Sequence, residues 1–426
     1  MGGPSRPEPG RADANHSVRI PRLRRAGVFR RLDPHVRGSR RSVSPVSAAG
    51  RDGRIKVLHL CDKFGIRESR THGVSRLFTW WFPRFDRSRY DVRLIGIRPE
   101  DGASAHLRTQ GLDPVCLGRG PFHPAVVTDL LALVRAERPH VLHAHGYATS
   151  NYARIVGALT GVRVLIHEHT SFPSIPFYQR AIDRALAGRT DLGVAVSDST
   201  RDFMVRFRSL PAEKIRVVYN GAPLEEFIPP GLERVRAERA RLGLREGEPV
   251  VGAVGRMDEQ KGMTYLLQAA ARILRRRPDV RFVLAGDGHL LERHREEARA
   301  LGIAERTVFA GFCEDVPALQ SVLDIQAFPS IYEGTPLTVF EAMAMGRVIA
   351  STTVDGLAEV LRHRENALLV PPRDPDALAG AVLELLADPG LAGRLAAQAA
   401  ADSRRYDVSR TVRELEAVYE ELVGGA

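Results

Sequence analysis

Twice along this chain a short apolar stretch is followed by an amphipathic one, over and over, and few architectures accept that pattern. The first run opens with IKVLHLCDKF (55–64) and GVSRLFTWWFPRF, then DVRLIGI (91–97) and AVVTDLLALVRAERP (125–139). It continues through HVLHAHG, SNYARIVGALTG, RVLIHEHTS, YQRAIDRALAGR, LGVAVSDS and KIRVVYNG. The second starts at PVVGAVGRM (249–257) and ends with DALAGAVLELLAD (376–388). Strand alternating with helix predicts a parallel, doubly wound sheet, so the fold class expected is α/β with two Rossmann-like domains. Residues 1–53 are an Arg/Pro-rich extension without periodicity, expected to hold no fixed structure. The first domain is set at 54–222 and the second at 223–426, its last helix expected to pack back on the first. The proline-bearing connection PLEEFIPPG (223–231) separates them. In such sheets ligands bind at the carboxyl ends of the strands, and two of them face to face make a cleft.

A chain of 426 residues with a formal charge of +11 invites a nucleic-acid reading, but the location of the charge matters more than its size. Residues 1–50 carry eleven Arg against Glu8, Asp13 and Asp33, a balance of +8 that leaves +3 for all the rest. That distribution argues against nucleic acid as a partner and favours attraction to an anionic membrane surface. Cys61, Cys116 and Cys313 form no CxxC pair, so neither a disulfide framework nor a zinc site is encoded and a reducing compartment is expected. No apolar run approaches the roughly 18 residues that span a bilayer, and the start lacks the apolar core of a secretory signal. The expectation is a cytoplasmic protein, soluble or peripheral at the inner face of the membrane.

DIQAFPSIYEGTPLTVFEAMAMG (324–346) reads as strand, loop and helix. Thr335 is placed to cap a helix running from Pro336 to Met345, with Gly346 as its left-handed stop. The open N-terminus directs backbone N–H groups around Gly334, Thr335 and Leu337 at the loop, beside Pro336, as an anion site. Glu333 and Glu341 flank that end. They are either solvated surface charges or groups that hold sugar hydroxyls, since an acid there is useless for holding phosphate.

Gly255-Arg256 and Lys261-Gly262 fall where a strand gives way to a helix. Two cations beside the anion site would neutralise a diphosphate, and Lys261 is one of only four lysines in an arginine-dominated chain. Gly286-Asp287-Gly288 is another tight strand-to-helix turn, too little for a dinucleotide fingerprint. His143 and His145, like His167 and His169, are i, i+2 pairs at strand ends, read as cleft-lining polar groups rather than metal ligands. Asp374-Pro375-Asp376 matches a DxD metal motif by letters only and reads as a helix start.

Taken together, GRMDEQKG (255–262), EGTPLTVFEAMAMG with its Glu333 and Glu341, VSDSTRDF (196–203), VVYNGAPLEEF (217–227) and the strands LHAHG and HEHTSF resemble the retaining glycosyltransferases of family 4. The resemblance runs from about Ile55 to Leu422. It implies the GT-B fold, with the donor site in the cleft between two facing Rossmann-like domains. The activity implied moves a sugar from a nucleotide-diphosphate donor, a co-substrate, to a hydroxyl of a glycan, lipid or small molecule, with no metal and no cofactor. Arg256 and Lys261 would lie on the diphosphate, Glu341 on the ribose, Glu333 near the sugar, Gly73 opposite the diphosphate and His169 at the reacting sugar. Asp355-Gly356 departs from the family's usual Gly-Gly, and Arg347 from a usual proline. A sugar-nucleotide epimerase or phosphorylase of the same architecture is the alternative, and a non-enzymatic nucleic-acid binder a remote one.

Overall fold

The computed structural model describes residues 53–65 and 73–424, so residues 1–52 of the extension lie outside it. Strands β1 (Ile55–Cys61), β2 (Tyr90–Gly96), β3 (Val115–Cys116), β4 (Val141–His145), β5 (Arg163–Glu168), β6 (Leu192–Ala195) and β7 (Ile215–Val217) form one sheet. Its order is β3-β2-β1-β4-β5-β6-β7 and every pairing is parallel. Around it lie α1 (Gly73–Trp81), α2 (Gly102–Thr109), α3 (Ala125–Glu137), α4 (Tyr147–Thr160), α5 (Phe177–Leu186) and α6 (Asp198–Arg208).

After α7 (Leu232–Arg241) a second parallel sheet follows from β8 (Val250–Val254), β9 (Arg281–Ala285), β10 (Thr307–Gly311), β11 (Ile325–Phe328), β12 (Val348–Thr352) and β13 (Leu368–Val370). Its order is β10-β9-β8-β11-β12-β13. The accompanying helices are α8 (Met263–Arg276), α9 (Leu291–Ala300), α10 (Val316–Ser321), α11 (Leu337–Ala344), α12 (Asp355–Val360) and α13 (Pro375–Ala387). Then come α14 (Pro389–Ser403) and α15 (Val408–Gly424). This is the two-domain GT-B architecture. Both sheets reverse their winding beside the first strand, at β1/β4 and β8/β11, which opens a crevice at the carboxyl ends there.

The continuous apolar runs have a simple cause. Val57 and Cys61 of β1 enter one core while Leu58 and Leu60 enter another on the opposite face, so both sides of the strand are covered. The last helix, α15, returns to the first sheet: Tyr419 is fully buried against His59 and His143, and Glu416 accepts the backbone N–H of Asp86 at 2.9 Å. Among the described residues no helix is long and apolar enough to cross a membrane.

One expected detail is wrong. Thr335 does not cap α11; Pro336 occupies the cap position with no side-chain capping bond, and the helix begins at Leu337. The Thr335 hydroxyl donates instead to the carbonyl of Val196, just past β6, at 3.3 Å. A bond between the two halves of the molecule has won over the local one.

Candidate active site

The loops after β8, β9 and β11 face α1 and the loop after β5 across a cavity of about 1080 Å³. Its lining brings together Gly73, His169, Gly255, Arg256, Lys261, Gly286, Glu333, Thr335, Pro336 and Leu337. Gly334 and Glu341 do not line it. His145 lies at a neighbouring cavity of about 420 Å³, which shares His169 with the larger one.

Glu333 is not a solvated charge. It is 3% exposed, and Lys261 Nζ approaches its Oε1 at 2.6 Å while the Ser330 hydroxyl donates to the same oxygen at 2.8 Å. Gln260 donates to Oε2 at 3.0 Å and in turn accepts from Arg256 at 2.9 Å. A second Arg256 nitrogen pairs with Asp258 at 2.6 Å. The backbone N–H of Glu333 is taken by Asp355 at 2.9 Å, so the aspartate that departs from the family pattern holds this loop. Two cations, a carboxylate and the uncapped start of α11 thus share one wall. Arg256 remains 46% exposed and therefore reachable by an anion from the cavity.

Glu341, about one turn into α11, has no exposed surface. Its Oε1 lies 2.7 Å from Arg76 Nη1 of α1, across the crevice, yet neither carboxylate oxygen has a well-aligned hydrogen bond. Burial pushes its pKa up from the ordinary 4.5, and Arg76 opposes the shift. Arg76 also lies over the Trp80 ring, 4.8 Å from its centroid. As pH rises from the ordinary carboxylate range through the raised pKa, the wild-type protein loses stability, because the buried acid must ionise. Arg76→Ala raises that pKa further and so loses more over a wider window. At pH values where Glu341 stays ionised the cost is about 3 kcal/mol, the low end for a broken buried pair because Arg76 is itself partly exposed. Urea melts across a pH series should coincide at acid pH and separate as pH rises. A gap independent of pH would show that Glu341 is not the partner that matters.

Two glycines permit the wall to close. A Cβ on Gly334 would sit 2.3 Å from the carbonyl oxygen of His169, so the two halves touch there backbone to backbone. Gly286 has φ +136° and a Cβ there would meet the Gly255 carbonyl at 1.8 Å, which forbids any other residue without movement of the β8 loop. At Gly73 a Cβ would meet nothing within 4 Å.

The histidines take a form that their spacing did not predict. His143 and His167 are fully buried rather than cleft-lining, and His145 is 3% exposed. They join His59, His169 and Tyr419 in a chain of hydrogen bonds: His169–His145 at 2.9 Å, His145–His59 at 3.0 Å, His59–Tyr419 at 3.1 Å, Tyr419–His143 at 2.8 Å and His143–His167 at 3.2 Å. Burial lowers the pKa of His59 to about 3 and holds His143, His145 and His167 well below the usual value, so these rings are neutral. Two sets of three have ring nitrogens within 4.8 Å of one another: His59, His143 and His145, and His145, His167 and His169. The ring planes of His143 and His167 lie at 4° to one another and those of His167 and His169 at 19°. Asp374 caps α13, accepting from Asp376 and Ala377 at 3.1 and 2.9 Å, which is the helix start expected of it.

Sequence reasoning missed Arg76, Gln260, Ser330 and Asp355. Gln260 and Ser330 carried a weak signal, since each lies within three residues of a predicted site residue. Arg76 lies equally close to Gly73, but nothing local pairs it with Glu341, far along the chain.

Residues 71–226 match the family described as Glycosyltransferase Family 4 and residues 248–388 the family described as Glycosyl transferases group 1. The chain is 30% identical over 331 residues to alpha-D-kanosaminyltransferase of Streptomyces kanamyceticus, covering 76% of this chain and 79% of that one. It is 28% identical to 2-deoxystreptamine N-acetyl-D-glucosaminyltransferase of Streptomyces fradiae, covering 85% and 89%. In fold it is similar to the Anabaena protein HepE solved with UDP-glucose, at a TM-score of 0.74 and 20% identity over 86% of this chain and 99% of that one.

Proposed function

The chain belongs to glycosyltransferase family 4 and uses a nucleotide-sugar donor, and on that premise we propose that it transfers the sugar with retention of configuration and without a metal. One observation supports the donor placement above others. Arg256, Lys261 and the uncapped start of α11 share one wall of the cavity, with Gly73 and His169 on the opposite side. The donor diphosphate lies against Arg256, Lys261 and the N–H groups before Leu337. Its ribose hydroxyls donate to Glu341, whose oxygens lack aligned partners, and displace Arg76 in doing so. Glu333, held by Lys261, Ser330 and Gln260, stands at the sugar with His169.

In the reaction the bond from the anomeric carbon to the phosphate oxygen breaks while the bond to the acceptor oxygen forms on the same face. The acceptor's proton passes to a diphosphate oxygen. Negative charge grows on the diphosphate as the old bond breaks, so fixed cations and helix N–H groups lower the barrier. No metal or cofactor is assigned a step. The acceptor is a glycan, a lipid-linked molecule or a small molecule, and the 420 Å³ cavity beside His169 is where it enters. A cytoplasmic location belongs to the same proposal, with contact to an anionic membrane surface through the arginine-rich extension.

UDP is the first nucleotide to try, since HepE was solved with UDP-glucose. The test is consumption of UDP-, GDP-, ADP- and dTDP-sugars in excess EDTA, with the anomeric configuration of the product read by proton NMR. One donor should turn over in EDTA with its configuration kept. Loss of turnover in EDTA that manganese restores would overturn the metal-free reading, and inversion would overturn the front-face step.

A further inference from the structure

Asp355 is a costly residue where it stands. It opens α12 with φ +35°, a left-handed backbone that glycine adopts freely and a residue with a Cβ only under strain. Burial, with Glu333 and Glu359 close by, pushes the pKa of its carboxyl up, so charge is disfavoured there as well. What the carboxylate gains is the backbone N–H of Glu333, which donates to its Oδ2 at 2.9 Å. The helix start and the loop after β11 are in direct contact, since a Cβ on Gly356 would collide with the carbonyl of Gly334.

The other end of α12 is fastened to the first half of the molecule. Glu359, about one turn further on, accepts the backbone N–H groups of Asp198 and Ser199 at 2.8 Å each and the Tyr219 hydroxyl at 2.6 Å. Asp198 and Ser199 open α6, so their N–H groups find no acceptor within that helix, and a carboxylate also suits its dipole there. A helix of six residues thus carries a carboxylate near each end, one on the loop that holds Glu333 and one on the half that carries His169. We propose that α12 is a tie between the halves: Glu359 locks it to α6, and Asp355 passes that position on to Glu333, which makes Asp355 a positioning residue for the carboxylate at the donor sugar. A glycine in its place would relieve the strain and hold nothing. The tie stands on the geometry alone. Its effect on rate rests on the reading that places Glu333 at the sugar.

Amide hydrogen exchange on the full chain reads the tie without any substrate. Asp355→Gly and Glu359→Ala should each speed exchange of the Glu333 amide roughly tenfold, the loss of about one hydrogen bond. Asp355→Asn keeps an acceptor oxygen and tolerates positive φ, so it should retain the protection. Kinetics read the consequence. Asp355→Gly should lower kcat roughly tenfold and Asp355→Asn should restore it, while affinity for the nucleoside diphosphate, which lacks the sugar, stays unchanged by calorimetry. Wild-type exchange at Glu333 in Glu359→Ala would overturn the tie. Equal losses of kcat and of nucleoside diphosphate affinity in Asp355→Gly, or no loss of either, would overturn the positioning role. A wild-type chain that turns over no nucleotide-sugar would count against the transferase reading instead, and the exchange rates would still decide the tie.

Discussion

Lys261→Ala is expected to lower kcat by about 100- to 1000-fold, the usual effect of removing a group aimed at charge that develops in the transition state. Donor affinity should change less, because the diphosphate's charge grows only as the glycosidic bond breaks. The substitution also strands Glu333, which is 3% exposed and keeps only Ser330 and Gln260 as side-chain donors. A loss of stability therefore accompanies the loss of rate, and the two must be separated. Adding Glu333→Gln removes the stranded charge, so the double variant should regain thermal stability without regaining kcat. Recovery of both would show that Lys261 serves only to neutralise its neighbour. Steady-state kinetics and thermal melts on the two proteins decide between these accounts.

Gly334→Ala should be nearly as damaging, by a different route. The added methyl would lie 2.3 Å from the His169 carbonyl and 2.9 Å from Val196 Cγ2, so the two halves must part to admit it. Overpacking of this kind costs about 1–3 kcal/mol, a modest loss for a chain of this size. A shift on the order of 1 Å between the wall that carries Lys261 and the one that carries His169 costs about 100-fold in rate. The expected result is a small drop in melting temperature and a large drop in kcat/KM. Wild-type activity would mean that the contact between the halves does not set the reacting geometry.

How far the sequence carries can be judged residue by residue. The two sheets were legible because strands buried on both faces write continuous apolar runs, as β1 does with Val57 and Leu58 entering different cores. The alternation supplied the parallel connection without further help. Helix α2 was missed although a signal existed: Asp101 and Ser104 form a reciprocal cap, with bonds of 2.8 and 2.9 Å. Helix α14, which follows α13 after the single residue Asp388, was also missed. At the site, Arg256 and Lys261 declared themselves through the strand-to-helix turn. Thr335 misled, because a cap is a local rule and its hydroxyl found a carbonyl from the other half. Depth was the least legible property. The i, i+2 spacing of His143 and His145 fixes a common side but not whether that side meets solvent, and Glu341 sits under Arg76 because of a contact no local pattern encodes.

The central claim is that one wall, built from the β8 and β11 loops, holds the donor's diphosphate while Glu341 takes its ribose. A crystal structure with the nucleoside diphosphate of the preferred donor tests it most directly. The account predicts phosphate oxygens within hydrogen-bond distance of Arg256 and Lys261, and ribose hydroxyls on Glu341 where Arg76 Nη1 now stands at 2.7 Å. A nucleotide bound elsewhere, or bound here with the Arg76–Glu341 pair intact, would contradict it.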